Sequence, residues 1–368
     1  MGETTRTRLD SLTGLRIFAA LLVLGRHVSW MGTMDNTEGV VNFLSPGMVG
    51  VSFFYIVSGF VLAWTARPGD RTKQFYQRRF ARIYPLYFVC WAVALGLLVT
   101  MKNEDFSVVE LLPLTLLQSW VPNETAYFAV SAVFWSLSCE AFFYLVFPWI
   151  LPYLQRLETR GRLILLAAIV AAVFSIAALI DPLVSGSVGH WFLYIFPPVR
   201  LLEFVLGILL ALQMKKSTAF AFPLWAATLL TVASFFVSAL APGSYMRVAV
   251  TLIPFALLVW SAARADLLGL RSPFRWAPIV TLGVWSYAFY LIHSQVVFVV
   301  NAILDKAGVD IYNGSGVPIV FAILLSAAVS IGAAGILHKL VEAPMEKLLR
   351  PRRRGTGPVH DAVPEKVG

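Results

Sequence analysis

Apolar runs of about the twenty residues needed to cross a hydrocarbon core recur along the chain, separated by short segments rich in Arg and Lys. The pattern predicts ten transmembrane helices, at roughly residues 14–33, 47–66, 83–101, 132–154, 163–181, 193–213, 220–240, 247–263, 279–302 and 317–340. A further apolar stretch, Val108–Trp120, is shorter and carries Pro113 at its middle, which predicts a re-entrant or interfacial element. With the N-terminus inside, 23 of the 29 Lys and Arg fall in cytoplasmic segments, and the outer loops hold only Lys102 and Lys306. That asymmetry predicts an even number of crossings with both termini cytoplasmic. The stretch after Leu349, RPRRRGTGPVHDAVPEKVG, is expected to be a disordered basic cytoplasmic tail, residues 350–368, following one transmembrane unit over 1–349.

Composition sharpens the class. Hydrophobic residues make up 58% of the chain and charged residues 13%, with a mean hydropathy of +0.76. A soluble core of this size cannot hide so much apolar surface, so the lipid bilayer must cover it, and the fold class is an all-α polytopic membrane protein. The net charge of +9 then reports topology and no nucleic-acid partner. Cys90 and Cys139 lie inside apolar stretches, which points away from a disulfide framework or a cysteine metal site. The first apolar run is interrupted by Arg26 and His27 with no clean small-residue cleavage motif after it, so it reads as a span and not a signal peptide.

Ionisable groups within a bilayer cost ~2.5–3.5 kcal/mol each on insertion scales, which makes Arg16, Arg26, His27, Glu140, Arg200, Glu203 and His293 the chemical candidates. Eleven residues at about 100° each bring Arg16 and His27 within about 20° of one another on the first helix, with His27 roughly 16 Å further along. A cation at the rim and a titratable base half-way up suit a long ligand with a phosphorylated head and a reactive far end; a topology anchor and an interior histidine are the plainer alternatives. Arg79 and Arg82 share a face at i, i+3, where two guanidiniums either clamp phosphate or meet anionic lipid. Glu140, in an aromatic span, must be protonated or matched to a base. Arg200 and Glu203, also at i, i+3, read as a structural ion pair. His293 shares a face with Ser286 and Tyr290, a polar stripe that either lines a cavity or joins helices.

A Gly-x-Ser-x-Gly elbow, a Walker loop, a dinucleotide loop and a zinc motif are absent from the sequence, which removes several common chemistries. His27 is also not followed by the aspartate of an HxxxxD acyltransferase. What is present runs in order from Leu9 to about Pro344: LDSLTGLRIFAALLVLGRH, FFYIVSGFVLAW, FYQRRFARIYPLY, LLQSW with FWSLSCEAFFYLVFP, RLLEFVLG, SYAFYLIHSQ and VEAP. Taken together these motifs resemble the acyltransferase 3 family, integral membrane O-acyltransferases that modify bacterial surface glycans, peptidoglycan, Nod factors and some macrolides.

The resemblance implies ten core helices, acyl-CoA as co-substrate entering from the cytoplasm with no permanently bound cofactor or metal, and a hydroxyl-bearing acceptor, a glycan or small molecule. It implies His27 as the catalytic group, with Glu140 orienting it or stabilising its imidazolium, and Arg16, Arg79 and Arg82 near the donor. Ser58, Trp135, Ser138, Arg200, Glu203, Tyr290 and His293 are expected to line a substrate cavity or to hold helices together. This chain departs from the usual pattern at Cys139, where Val is common, and at Arg26, whose like charge beside His27 favours the neutral imidazole. Depth along the first and fourth helices predicts that His27 and Glu140 lie at similar levels and act as one unit. A transporter or flippase for a glycan or lipid is the alternative, since intramembrane charge also marks permeation paths, and a sensor or scaffold is a third; the paired broken helices of many transporters are not evident.

Overall fold

The computed structural model describes residues 8–31, 44–67, 69–101, 106–184, 186–241, 243, 245–309 and 317–349; the tail expected to be disordered, and Lys102, lie outside them. The described residues form an all-α bundle of α1 (Asp10–Met31), α2 (Gly50–Thr65), α3 (Thr72–Met101), α4 (Trp135–Arg156), α5 (Thr159–Leu183), α6 (Pro197–Lys216), α7 (Leu224–Leu240), α8 (Val250–Leu267), α9 (Ala277–Lys306), α10 (Val317–Leu337) and the short α11 (Ala343–Leu349). Among the described residues nine helical segments are long and apolar enough to cross a membrane, and α7 is a shorter apolar helix of 17 residues. At 1.5 Å per residue α7 spans about 25 Å.

Contacts at the helix ends fix the direction of several crossings, and the chain order sets the rest. Let the lower face be the one on which α1 begins. There Ser11 donates its backbone N–H and its hydroxyl to the Asp266 carboxylate at the end of α8, at 2.8 and 2.7 Å. Arg264 near that same end donates to the Thr218 carbonyl just beyond α6, at 2.9 Å, and Trp260 donates to the Phe220 carbonyl just before α7, at 3.0 Å. α6 therefore descends, α7 ascends and α8 descends, so α7 crosses despite its length. On α11, Glu346 lies 3.9 Å from Arg82 near the start of α3, which returns the last described helix to the lower face beside α1. Ten crossings with both described ends on one face result.

Two glycines set how closely α2 and α6 approach. A Cβ on Gly59 of α2 would overlap the Phe204 carbonyl of α6, and one on Gly207 would overlap the Ile56 carbonyl of α2. The two backbones are thus in direct contact, as small residues permit between membrane helices. The Val108–Trp120 segment does not span. It folds as two 3₁₀ turns, Val108–Thr115 and Gln118–Trp120, and protein side chains meet its free carbonyls: Tyr87 donates to Pro113 at 2.8 Å, Tyr84 to Leu114 at 3.0 Å and Ser138 to Leu116 at 2.7 Å. Irregular backbone survives at membrane depth when its polar groups are satisfied by neighbouring protein in this way.

Candidate active site

Helical spacing on α9 brings Ser286, Tyr290 and His293 onto one face, and that face meets α1 at His27. His293 is fully buried. Its Nδ1 lies 2.8 Å from the Tyr290 carbonyl and 3.3 Å from that of Phe289, and its Nε2 lies 3.1 Å from His27 Nδ1. His27 Nδ1 is also 2.9 Å from the Val23 carbonyl one turn earlier. Carbonyl oxygens only accept, so both histidines carry their proton on Nδ1. The His27 proton is then shared between Val23 and His293 Nε2, and the lone pair of His27 sits on Nε2.

His27 lines an upper cavity of about 660 Å³ with Arg26, Trp135, Tyr127, Glu124, His190 and Arg247 among its walls. Burial pushes the Tyr127 hydroxyl up to about 12; it stays protonated at neutral pH and has no hydrogen-bond partner, a donor available at the cavity wall. The Trp135 ring packs 4.8 Å from that of Tyr194.

A lower cavity of about 630 Å³ takes the other candidates. Arg8, Arg16, Arg79 and Arg82 line it together with Ser58, Glu140, Tyr144 and Ser286. Tyr144 donates a short hydrogen bond to Glu140 Oε1. Ser58 Oγ lies 3.3 Å from the same oxygen and 3.3 Å from the Tyr144 hydroxyl, and the Arg79 guanidinium sits 5.7 Å from the Tyr144 ring centre. Arg79 Nε and Ser286 Oγ are buried without a hydrogen-bond partner. Four guanidiniums line it against one lining carboxylate, with Asp10 and Glu346 paired to Arg8 and Arg82 beside it, and the surplus of positive charge makes the cavity basic, the field a polyanionic head requires.

The structure therefore corrects the expected unit of His27 with Glu140. Glu140 is held by Ser58 and Tyr144 in the lower cavity, and His27 by His293 in the upper one. Similar depth did not bring them together because they face different cavities, with the Tyr290 ring lining both. Of the other candidates, Ser138, Arg200, Glu203 and His293 itself line neither cavity. Ser138 is bonded to the re-entrant segment. Arg200 and Glu203 form a buried ion pair at 2.9 Å, with Arg200 also 3.0 Å from Ser52 Oγ and about 5 Å from the ring centres of Tyr55 and Tyr194; the pair locks α6 against α2. Sequence reasoning passed over Tyr144, which stands at i+4 from Glu140 and was findable from that spacing. It also passed over Glu124, Tyr127 and His190, which stand in helices of one turn or little more, Glu124–Tyr127 and Gly186–His190, too short to carry a periodic signal. Among the described residues no cluster of three His, Cys, Asp or Glu could hold a metal.

Comparison with known proteins agrees with this architecture. The sequence profile of the acyltransferase 3 family, described as an acyltransferase domain, matches residues 9–336. The chain is 34% identical over 377 residues to acyltransferase MdmB of Streptomyces mycarofaciens, covering 97% of both chains. It is 29% identical over 202 residues to nodulation protein 10 of Rhizobium leguminosarum bv. viciae, covering 48% of this chain and 55% of that protein. It is also 23% identical over 375 residues to O-acetyltransferase OatA of Staphylococcus aureus, covering 92% of this chain and 57% of that protein. No solved structure matches the chain significantly.

Proposed function

The chain belongs to the acyltransferase 3 family, and from that premise we propose an O-acyltransferase of the bacterial cytoplasmic membrane. It moves a short acyl group, acetyl or similar, from acyl-CoA to a hydroxyl of a glycan or of a small natural product such as a macrolide. The observation that carries this reading is the pair of cavities, one basic and one holding His27, meeting at Tyr290. The basic lower face is the cytoplasmic one, in keeping with the distribution of Lys and Arg, so both termini are cytoplasmic.

In this reading the CoA phosphates lie among Arg8, Arg16, Arg79 and Arg82, and the pantetheine arm runs along the apolar wall of Val57, Val61 and Leu62. Glu140 limits the charge of that cavity and, with Ser58 and Tyr144, holds its polar floor. The acceptor occupies the upper cavity. His27 Nε2 takes the proton of the acceptor hydroxyl as its oxygen forms a bond to the thioester carbon. The carbon–sulfur bond then breaks, and the imidazolium returns the proton to the departing thiolate, leaving CoA and the ester. Because His27 Nδ1–H already points at two acceptors, the positive charge of the imidazolium meets lone pairs fixed in place before the reaction, the role a carboxylate plays in a hydrolase triad. His293 is thus a positioning residue.

The test is release of free CoA thiol from acetyl-CoA by the purified full chain in nanodiscs, with water as the acceptor where none is supplied. A general base contributes typically ~10²–10⁴-fold, so His27→Ala is expected to lose that factor in kcat with acetyl-CoA binding retained. Near-normal turnover in His27→Ala would remove the base from the mechanism. Absence of both acetyl-CoA binding and thiol release in the wild type would overturn the donor assignment.

A further inference from the structure

Among the described residues, Val51 and Tyr290 are the two that line both cavities. Val51 stands in the first turn of α2 and is buried, and so is Tyr290 near the middle of α9. The Tyr290 ring packs edge-on against Phe54 with centroids 5.7 Å apart. Its hydroxyl lies 2.7 Å from Ser136 Oγ at the start of α4, while Ser136 itself donates to the Val133 carbonyl at 2.9 Å. The Tyr290 hydroxyl also lies 3.4 Å from the same Val133 carbonyl, so the two hydroxyls and that carbonyl form one hydrogen-bonded group. Hydroxyl contacts to Ser136 and Val133 and ring contacts with Phe54 and His293 hold the ring across the line between the basic cavity and His27.

This position has a chemical consequence under the acyl-transfer reading, on which the inference rests. The CoA head belongs with the arginines below, whereas the hydroxyl to be acylated is activated above. The thioester carbon must therefore come within bonding distance of an oxygen on the far side of Tyr290 and Val51. We infer that Tyr290, with Val51 facing it, is the partition through which the acyl group passes, and that the space it leaves selects the length of the acyl chain. The hydroxyl bond to Ser136 holds the ring in place, so the opening beside it stays narrow. The same residue also presents its backbone carbonyl to His293 Nδ1, so the partition and the support of the base share one turn of α9.

The experiment uses the full chain in nanodiscs and a donor series of acetyl-, butyryl-, hexanoyl- and octanoyl-CoA, read as free CoA thiol. For Tyr290→Ala the ratio of kcat/KM for hexanoyl-CoA to that for acetyl-CoA is expected to rise at least about ten-fold over wild type. For Tyr290→Phe, which keeps the ring, the ratio should stay within about two-fold, and for Val51→Phe it should fall. An unchanged ratio in Tyr290→Ala and Val51→Phe would overturn the partition while leaving acyl transfer itself standing. A second measurement does not depend on turnover. In a Cys90→Ala, Cys139→Ala background, Val23→Cys places a thiol in the upper cavity, and an impermeant thiol reagent is supplied to sealed vesicles on the lower face alone. Labelling is expected to be slow with Tyr290 present and at least about ten-fold faster in Tyr290→Ala. Equal labelling in both would mean that Tyr290 does not separate the cavities, whatever reaction the protein performs.

Discussion

At the scale of single residues, the chemistry turns on which nitrogen of each histidine holds its proton. The Val23 and Tyr290 carbonyls decide this for His27 and His293, and the 3.1 Å contact between the rings follows from it. In His293→Gln the side-chain amide oxygen can still accept the His27 proton, whereas in His293→Leu it loses that partner. The expected outcome is that His293→Leu lowers kcat about ten-fold or more with the acetyl-CoA KM little changed, and that His293→Gln recovers much of the loss; equal losses in both variants would reduce His293 to packing. Glu140 gives a separate prediction, because it sits in the lower cavity with Ser58 and Tyr144. The losses in His27→Ala and Glu140→Gln should multiply in the double variant, since non-additivity belongs to residues acting as a unit. Sequence spacing exposed the stripe of Ser286, Tyr290 and His293 because a helix period is fixed. It could not place Glu140 relative to His27, because residue counts along a helix give depth and leave the facing direction open.

At the scale of elements, the crossings were legible because lipid demands long apolar stretches, and the re-entrant segment because Pro113 and a short length exclude a span. Element ends were less so. α3 begins at Thr72, well before the apolar window expected from 83, since a basic juxtamembrane segment can be helical outside the hydrocarbon; these added turns, about three, are what carry Arg79 and Arg82 into the lower cavity on one face. The clamp between α1 and α8 was invisible to periodicity, because Ser11 and Asp266 are 255 residues apart in the chain. Asp266 is 4% exposed, and removing it orphans the backbone N–H of Ser11, whose hydroxyl keeps only Ser272 Oγ at 2.8 Å. Asp266→Ala is therefore expected to destabilise the bundle by about 1–3 kcal/mol, the cost of leaving buried donors unmade, seen as a lower Tm in detergent. Arg275 lies 3.5 Å from the same carboxylate but is 41% exposed, so Arg275→Ala should cost no more than about 1 kcal/mol. A Tm loss for Arg275→Ala equal to that for Asp266→Ala would move the clamp from the Ser11 bonds to the ion pair.

At the scale of the whole molecule, the basic cavity lies toward the lower helix ends and the His27 cavity toward the upper ones, and the proposed function requires that their faces be the right ones. With acyl-CoA as the proposed donor, a cytoplasmic metabolite with several negative charges, the face with Arg8, Arg16, Arg79 and Arg82 is expected to look inward. The surplus of Lys and Arg predicts the same orientation independently, because positive charge is retained on the cytoplasmic side. Two single-cysteine variants in the Cys90→Ala, Cys139→Ala background separate the faces: Ser217→Cys just beyond α6 on the lower side, and Ser187→Cys on the upper cavity's wall. Both positions are exposed. In intact cells an impermeant maleimide is expected to label Ser187→Cys and spare Ser217→Cys, and inside-out vesicles should reverse the two. Acetyl-CoA added outside those inside-out vesicles should yield free CoA, and added outside right-side-out vesicles it should not. Labelling of Ser217→Cys in intact cells would turn the basic cavity away from the cytoplasm; no acyl-CoA could then reach the arginines, and the donor would have to be sought elsewhere.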